Sequence, residues 1–228
     1  MPDTPRIITL DGPAGVGKST LAKRLASALG FAYLDTGAMF RMTALLLGPA
    51  ALEISSKERE KALKELVFSL EGQGDDSRIA CNGIPADNRI RTENVASLAA
   101  SLGTCGDVRE FLKKAQQNIG KNRSLVAEGR DMGTVVFPDA DCKFFLDASP
   151  RERARRRVNQ LREMGKAADF EEILGQIAER DQKDRTRAIA PLKPADDAVI
   201  VDTTLLDLEG VFDVLFIKSK KCLHTPTL

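Results

Sequence analysis

Gly12, Pro13, Ala14, Gly15, Val16, Gly17, Lys18 and Ser19 fit G-x-x-x-x-G-K-[ST] at every fixed position. Glycines let successive backbone N–H groups converge on phosphate oxygens without interference from Cβ atoms. Lys18 adds a mobile positive charge for the β and γ phosphates, and the Ser19 hydroxyl can ligate Mg²⁺. With Thr20 the loop opens a helical pattern whose positive dipole end faces the same anion. The chemistry predicted for Gly12 to Thr20 is therefore the holding of a nucleoside triphosphate.

Two groups of charged residues lie outside the loop. Arg151, Arg153, Arg155, Arg156 and Arg157 crowd the start of a predicted helix just after an apolar run ending at Asp147. One helix cannot bury that many guanidiniums, so they form either a solvated face or an anion clamp closing as a lid over the triphosphate. Arg180, Asp184 and Arg187 are spaced by four and three, which on one helix puts them on a common face. They form either a surface ion-pair ladder or a face that offers arginines to phosphate and a carboxylate to a hydroxyl.

Short apolar runs alternating with helical patterns must position these groups. Ile7 to Leu10 and Phe31 to Leu34 read as strands around a helix from Lys18 to Leu29, which stops at Gly30. A second helix from about Thr36 to Leu47 closes at Gly48-Pro49. Leu125 to Ala127, Lys143 to Leu146 and Ala198 to Val201 complete five continuous apolar runs, the pattern of strands covered on both faces. Asp107 with Glu110 and Asp169 with Glu172 have capping-box spacing, and Ser149-Pro150 reads as a cap with proline in the first turn. The expected fold is α/β, a five-stranded doubly wound parallel sheet. Leu66 to Leu70 and Arg78 to Cys81, followed by the hairpin turn Asn82-Gly83, add a small antiparallel β insertion. The domain reading is one unit with core 1–60, 97–149 and 166–228, an insertion at about 61–96 and a lid at about 150–165.

The 228 residues, 43% hydrophobic and 29% charged, suit an ordinary globular chain. A net charge of +1 gives no global field for nucleic acid or an anionic membrane. Cys81, Cys105, Cys142 and Cys222 are far apart in sequence, with no C-x-x-C pair, and read as reduced, mostly buried thiols. His224, the only histidine, sits in a polar tail and reads as solvated. Ile7 to Leu10 is too brief for a signal or membrane segment, so the expected location is cytoplasmic. With no apolar stripe left over, a monomer is expected.

A GTPase would carry N/T-K-x-D after a strand and a D-x-x-G switch. The first is missing, and Asp107, Asp131 and Asp139 have no glycine three residues on. A kinase needs arginines beyond the loop to hold a second anionic substrate. Four segments together resemble the bacterial cytidylate kinase family: Ile8 to Thr20, Asp35-Thr-Gly-Ala-Met-Phe-Arg41, Glu128-Gly-Arg-Asp-Met-Gly-Thr-Val-Val-Phe-Pro-Asp139 and the arginine–aspartate run from Arg180 to Arg187. The resemblance runs from Ile7 to about Phe216, and the Gly129 to Pro138 block is its most specific part. The β insertion also matches the family's enlarged monophosphate-binding insert.

The resemblance implies transfer of the γ-phosphoryl of ATP to CMP or dCMP with Mg²⁺, the metal held by Ser19, ATP phosphates and water. Lys18 and the loop amides would hold ATP, and Arg155, Arg156 and Arg157 would close over it. Lys18, Arg130, Arg156 and Arg187 would be catalytic. Arg41, Arg130 and Arg187 would grip the acceptor phosphate, Arg180 and Asp184 the ribose, and Arg109 and Asp131 the cytosine, with Thr36, Phe40 and Ser101 beside them. Three positions depart from the family pattern. Phe40 stands where tyrosine is usual, Glu128 where aspartate is usual, and Ala100 where a base-reading serine is usual, with Ser97 and Ser101 nearby. A kinase for UMP or dTMP is the alternative enzyme, and a nucleotide-dependent regulatory protein the alternative outside catalysis.

Overall fold

The computed structural model describes residues 4–224. Five parallel strands form the central sheet: β1 (Ile7–Asp11), β2 (Ala32–Asp35), β6 (Leu125–Gly129), β7 (Cys142–Asp147) and β8 (Val199–Asp202), in the order β2-β6-β1-β7-β8. The expected doubly wound sheet is therefore present. β6 and β7 flank β1 on opposite sides, so the chain reverses direction across the sheet there. In open α/β sheets such a switch opens a crevice at the carboxyl ends of the strands.

Helices cover both faces. On one side, α1 (Lys18–Leu29) and α8 (Leu208–His224) bury Leu21, Leu25, Val211 and Leu215 against Ile8, Leu10, Phe144 and Leu146. On the other lie α2 (Thr36–Leu47), α4 (Glu93–Leu102) and α5 (Gly106–Gly120), which pack Met39, Leu102 and Leu112 on Leu34 and Ala127. Each such side chain contributes on the order of 1.5–3 kcal/mol by leaving water. α1 ends at Gly30, whose φ of 68° lets its N–H reach the carbonyls of Ala26 and Ser27. α6 (Pro150–Glu163) starts on Ser149, which accepts from the Glu152 N–H, and α7 (Phe170–Thr186) starts on Asp169, which accepts from the Glu172 N–H.

The antiparallel sheet between Leu66 and Ile90 has three short strands, β3 (Phe68–Glu71), β4 (Arg78–Cys81) and β5 (Ile84–Pro85). Its buried Leu70, Ile79 and Cys81 belong to the same core cluster as α2 and α5, and Phe68 meets Phe111 at 6.3 Å. Arg123 ties it down through the carbonyls of Leu70 and Gly72.

Several local expectations need correction. Helix α3 (Ser56–Lys64), with its Ser55–Glu58 capping box, carries too few apolar residues to show a periodic stripe. Asp107 is not a cap, because α5 starts one residue earlier, with Cys105 as its cap. The Asp107 carboxylate instead accepts from Arg59 Nε at 2.8 Å and joins α3 to α5. β8 is not covered on both faces: it is the sheet edge, and Ile200 is 63% exposed. Cys81 and Cys142 are buried and all four thiols are free. Cys142 and Cys222, distant in sequence, meet between β7 and α8, where burial first and the neighbouring thiol second push Cys142 up. The side chain of His224 lies outside the described residues. Among the described residues no helix is long and apolar enough to cross a membrane.

Candidate active site

The phosphate loop runs from β1 into α1 over the crevice. Gly12 has φ +148°, and a Cβ there would lie 2.1 Å from the Leu146 carbonyl oxygen, so only glycine lets the loop pass β7. The Lys18 ammonium donates to the Pro13 carbonyl at 2.7 Å and is nearly buried. Burial, then the Arg130 charge, lowers its pKa well below the usual lysine range, against the pull of Glu128 and Asp11. Ser19 lies on the open side of the loop, its hydroxyl against the Glu128 carboxylate. Burial and then Asp35 raise the Glu128 pKa, while Lys18, Ser19 and Tyr33 oppose the rise. The Tyr33 hydroxyl donates to Glu128 Oε1.

The specific Gly129 to Pro138 block forms a single π-helical turn, Met132–Val136, a geometry often found at functional sites. Asp11, the last residue of β1, anchors it by accepting from Met132 N–H at 2.9 Å and Gly133 N–H at 2.8 Å. Burial nevertheless raises the Asp11 carboxyl from 3.8 to about 6, because the two N–H bonds only partly offset lost hydration. The folded state thus holds this proton more tightly than the unfolded state does. That contribution to stability is complete below about pH 4 and is lost as pH rises through about 6, amounting to roughly 3 kcal/mol. Urea titrations should show wild type losing about that much relative to Asp11→Asn over this range. A difference independent of pH would show that Asp11 titrates normally.

Beside this turn, residues far apart in sequence converge. Arg109 on α5 donates to Asp131 Oδ2 at 2.6 Å, both side chains being buried. Arg187 reaches Asp131 Oδ1 at 3.3 Å and the Ala190 carbonyl at 2.6 Å. Arg130 Nε donates to Asp184 Oδ2 at 2.9 Å. Arg180 is open to solvent on α7, yet the surrounding protein disfavours its charge, as do Arg130 and Arg41, with Asp184 opposing. Burial and then the Arg109 charge likewise lower the Arg187 pKa. Arg187 is the first extended residue after α7 rather than part of its helical face.

Phe40 stands 5.6 Å from the Arg109 guanidinium and helps line a cavity of about 110 Å³ with Arg109, Gln116, Asp131, Met132 and Ile189. Thr36 is buried, its hydroxyl donating to the Glu128 carbonyl. Ser101 is exposed and donates to the Ser97 carbonyl on its own helix.

The arginine run after Ser149 is partly balanced by acid. Glu152 accepts from Arg155 and Arg156, Arg157 bonds Gln160, and Arg156 also reaches the Thr203 carbonyl. The arginine that touches the phosphate loop is Arg153, which is 1% exposed. It donates to the Ala148 carbonyl at 3.0 Å, the Ala14 carbonyl at 3.1 Å and both Asp181 oxygens. Sequence reasoning missed this pair because a charge run gives no sign of which member turns inward. Next to it, a groove of about 500 Å³ is lined by Ser149, Arg153, Asp181, Asp202 and Thr204.

A cytidylate kinase family model matches residues 8–221. The chain is 57% identical over 219 residues to a cytidylate kinase of Maridesulfovibrio salexigens, covering 96% of this chain and 98% of the relative. It is 54% identical over 214 residues to one from Oleidesulfovibrio alaskensis, with 94% and 98% covered. A third, from Thermosipho melanesiensis, is 46% identical over 216 residues, with 94% and 97% covered.

Proposed function

The chain belongs to the cytidylate kinase family, and we propose that it transfers the γ-phosphoryl of ATP to CMP or dCMP, giving ADP and CDP or dCDP. The crowding of positive charge carries the reading: besides burial, Arg130 and Arg180 lower the Lys18 pKa, and Arg130 and Arg41 lower that of Arg180. So many cations in one cleft cost free energy until polyanions neutralise them, and two phosphate-bearing substrates do so.

ATP phosphates lie on the loop amides of Gly12 to Thr20 and on Lys18. Arg155, Arg156 and Arg157 exchange their present partners for ATP when the lid closes. Arg41, Arg130 and Arg187 grip the acceptor phosphate through paired N–H donors. Arg180 and Asp184 take the ribose hydroxyls. Arg109 and Asp131 take the cytosine against Phe40, the carboxylate accepting from the exocyclic amine, with Thr36 and Ser101 at the margins. An acceptor phosphate oxygen attacks the γ-phosphorus as the bond to ADP breaks. The nucleophile is already anionic, so no strong base is needed; alignment and charge neutralisation lower the barrier. Mg²⁺ suits the hard oxygens of Ser19 and Glu128, and when bound with ATP it offsets phosphate charge. The protein acts as a cytoplasmic monomer.

Initial rates with CMP, dCMP, UMP and dTMP test the acceptor. CMP and dCMP should be best, because UMP sets a carbonyl against the Asp131 carboxylate. If UMP or dTMP were faster, the base assignment would fail. ATP turnover indifferent to any monophosphate would instead favour a regulatory nucleotide-binding protein.

A further inference from the structure

The buried Arg153–Asp181 pair lies between the two halves of the cleft. On the donor side, Arg153 holds the Ala14 carbonyl in the phosphate loop. On the other side, Asp181 is a member of α7, whose next helical turn carries Asp184 and ends at Arg187. Asp181 takes the guanidinium through both oxygens, one at 3.0 Å, and that side chain is 1% exposed. A two-point pair of this kind fixes direction as well as distance. The third Arg153 nitrogen, Nε, donates to the Ala148 carbonyl just after β7, so the guanidinium cannot swing without breaking buried hydrogen bonds.

We infer that Arg153 and Asp181 are positioning residues that couple the donor and acceptor sites, so that occupancy of the phosphate loop tightens binding of the monophosphate. The inference rests on the kinase reading above. A bound triphosphate immobilises the loop at Ala14. The guanidinium passes that restraint to Asp181, and α7 then holds Asp184 and Arg187 with less freedom left to lose when the acceptor arrives. A ligand that has already met part of an ordering cost makes the second ligand bind more tightly, and linkage makes the effect reciprocal. Both are assigned a role through the loop and α7, which carry the substrate-binding groups.

The test is a titration of the best acceptor from the rate assay into the protein, alone and saturated with a non-hydrolysable β,γ-imido analogue of ATP. Wild type should bind the acceptor about fivefold to tenfold more tightly with the analogue present. In Arg153→Met/Asp181→Leu, apolar side chains replace the ion pair, a change buried pairs often tolerate. There the two acceptor affinities should become equal, while the analogue-free Kd stays within about twofold of wild type. Should that variant not fold, Asp181→Asn keeps the shape with a neutral acceptor and should reduce the coupling at least twofold. A wild type without coupling, or a variant that keeps it, overturns the inference. A different acceptor winning the rate assay would revise the substrate reading and leave this test in force.

Discussion

Arg187→Ala is expected to lower kcat/KM for CMP by about 10³-fold while changing the KM for ATP by no more than about twofold. Arg187 stands at the end of α7 with its guanidinium divided between the Ala190 carbonyl and Asp131, and 3.8 Å from Asp184. Its removal takes away the donor proposed for the acceptor phosphate and leaves Asp131 with Arg109 as its guanidinium partner. Lysine should restore little, since a single ammonium cannot span two phosphate oxygens while keeping the Asp131 contact. Steady-state kinetics with each substrate varied in turn would read the split. Equal losses for ATP and CMP would give Arg187 a structural role and remove it from the acceptor site.

Gly12→Ala is expected to lower kcat/KM for ATP by at least about 10²-fold and to destabilise the fold by about 4 kcal/mol. Two independent penalties act at that position. The φ of +148° is one that L-residues rarely adopt, and the added methyl would sit 2.1 Å from a backbone oxygen of β7 that has no side-chain freedom with which to yield. Either the loop moves away from β7 or the β1–β7 pairing opens, and both displace the loop amides. Gly30→Ala is the control. Its φ of 68° is also left-handed, but nothing lies within 4 Å of the place its methyl would take, so it should cost only about 1 kcal/mol and leave ATP kinetics alone. Thermal unfolding and ATP kinetics on both variants would separate steric displacement from simple strain. Comparable ATP kinetics in the two would refute the argument.

The residue pattern determined the donor loop, the strand–helix alternation and the insertion. These depend on local rules: glycine's freedom at positive φ, the run length of apolar residues, and the Asn82-Gly83 turn. The loop was the most secure of these features and the least discriminating, whereas the Gly129 to Pro138 block and the scattered arginines pointed to the acceptor. The same local reading misjudged Asp107, because a carboxylate near a helix start can cap that helix or pair with another one. Arg59 on α3 decided the matter. It also treated the arginines after Ser149 as equivalent, although Glu152 holds two of them at the surface and Asp181 draws Arg153 inside.

Tertiary structure alone decided which charges meet. Asp11 takes the backbone N–H groups of a turn more than a hundred residues later, and Arg109, Asp131 and Arg187 come together from three segments. The physical reason is range. Helix caps, turns and strand runs are settled by neighbours a few residues apart, and so can be read along the chain. A buried charge must instead find its counter-charge wherever the packed sheet and helices bring one, and that depends on every intervening contact.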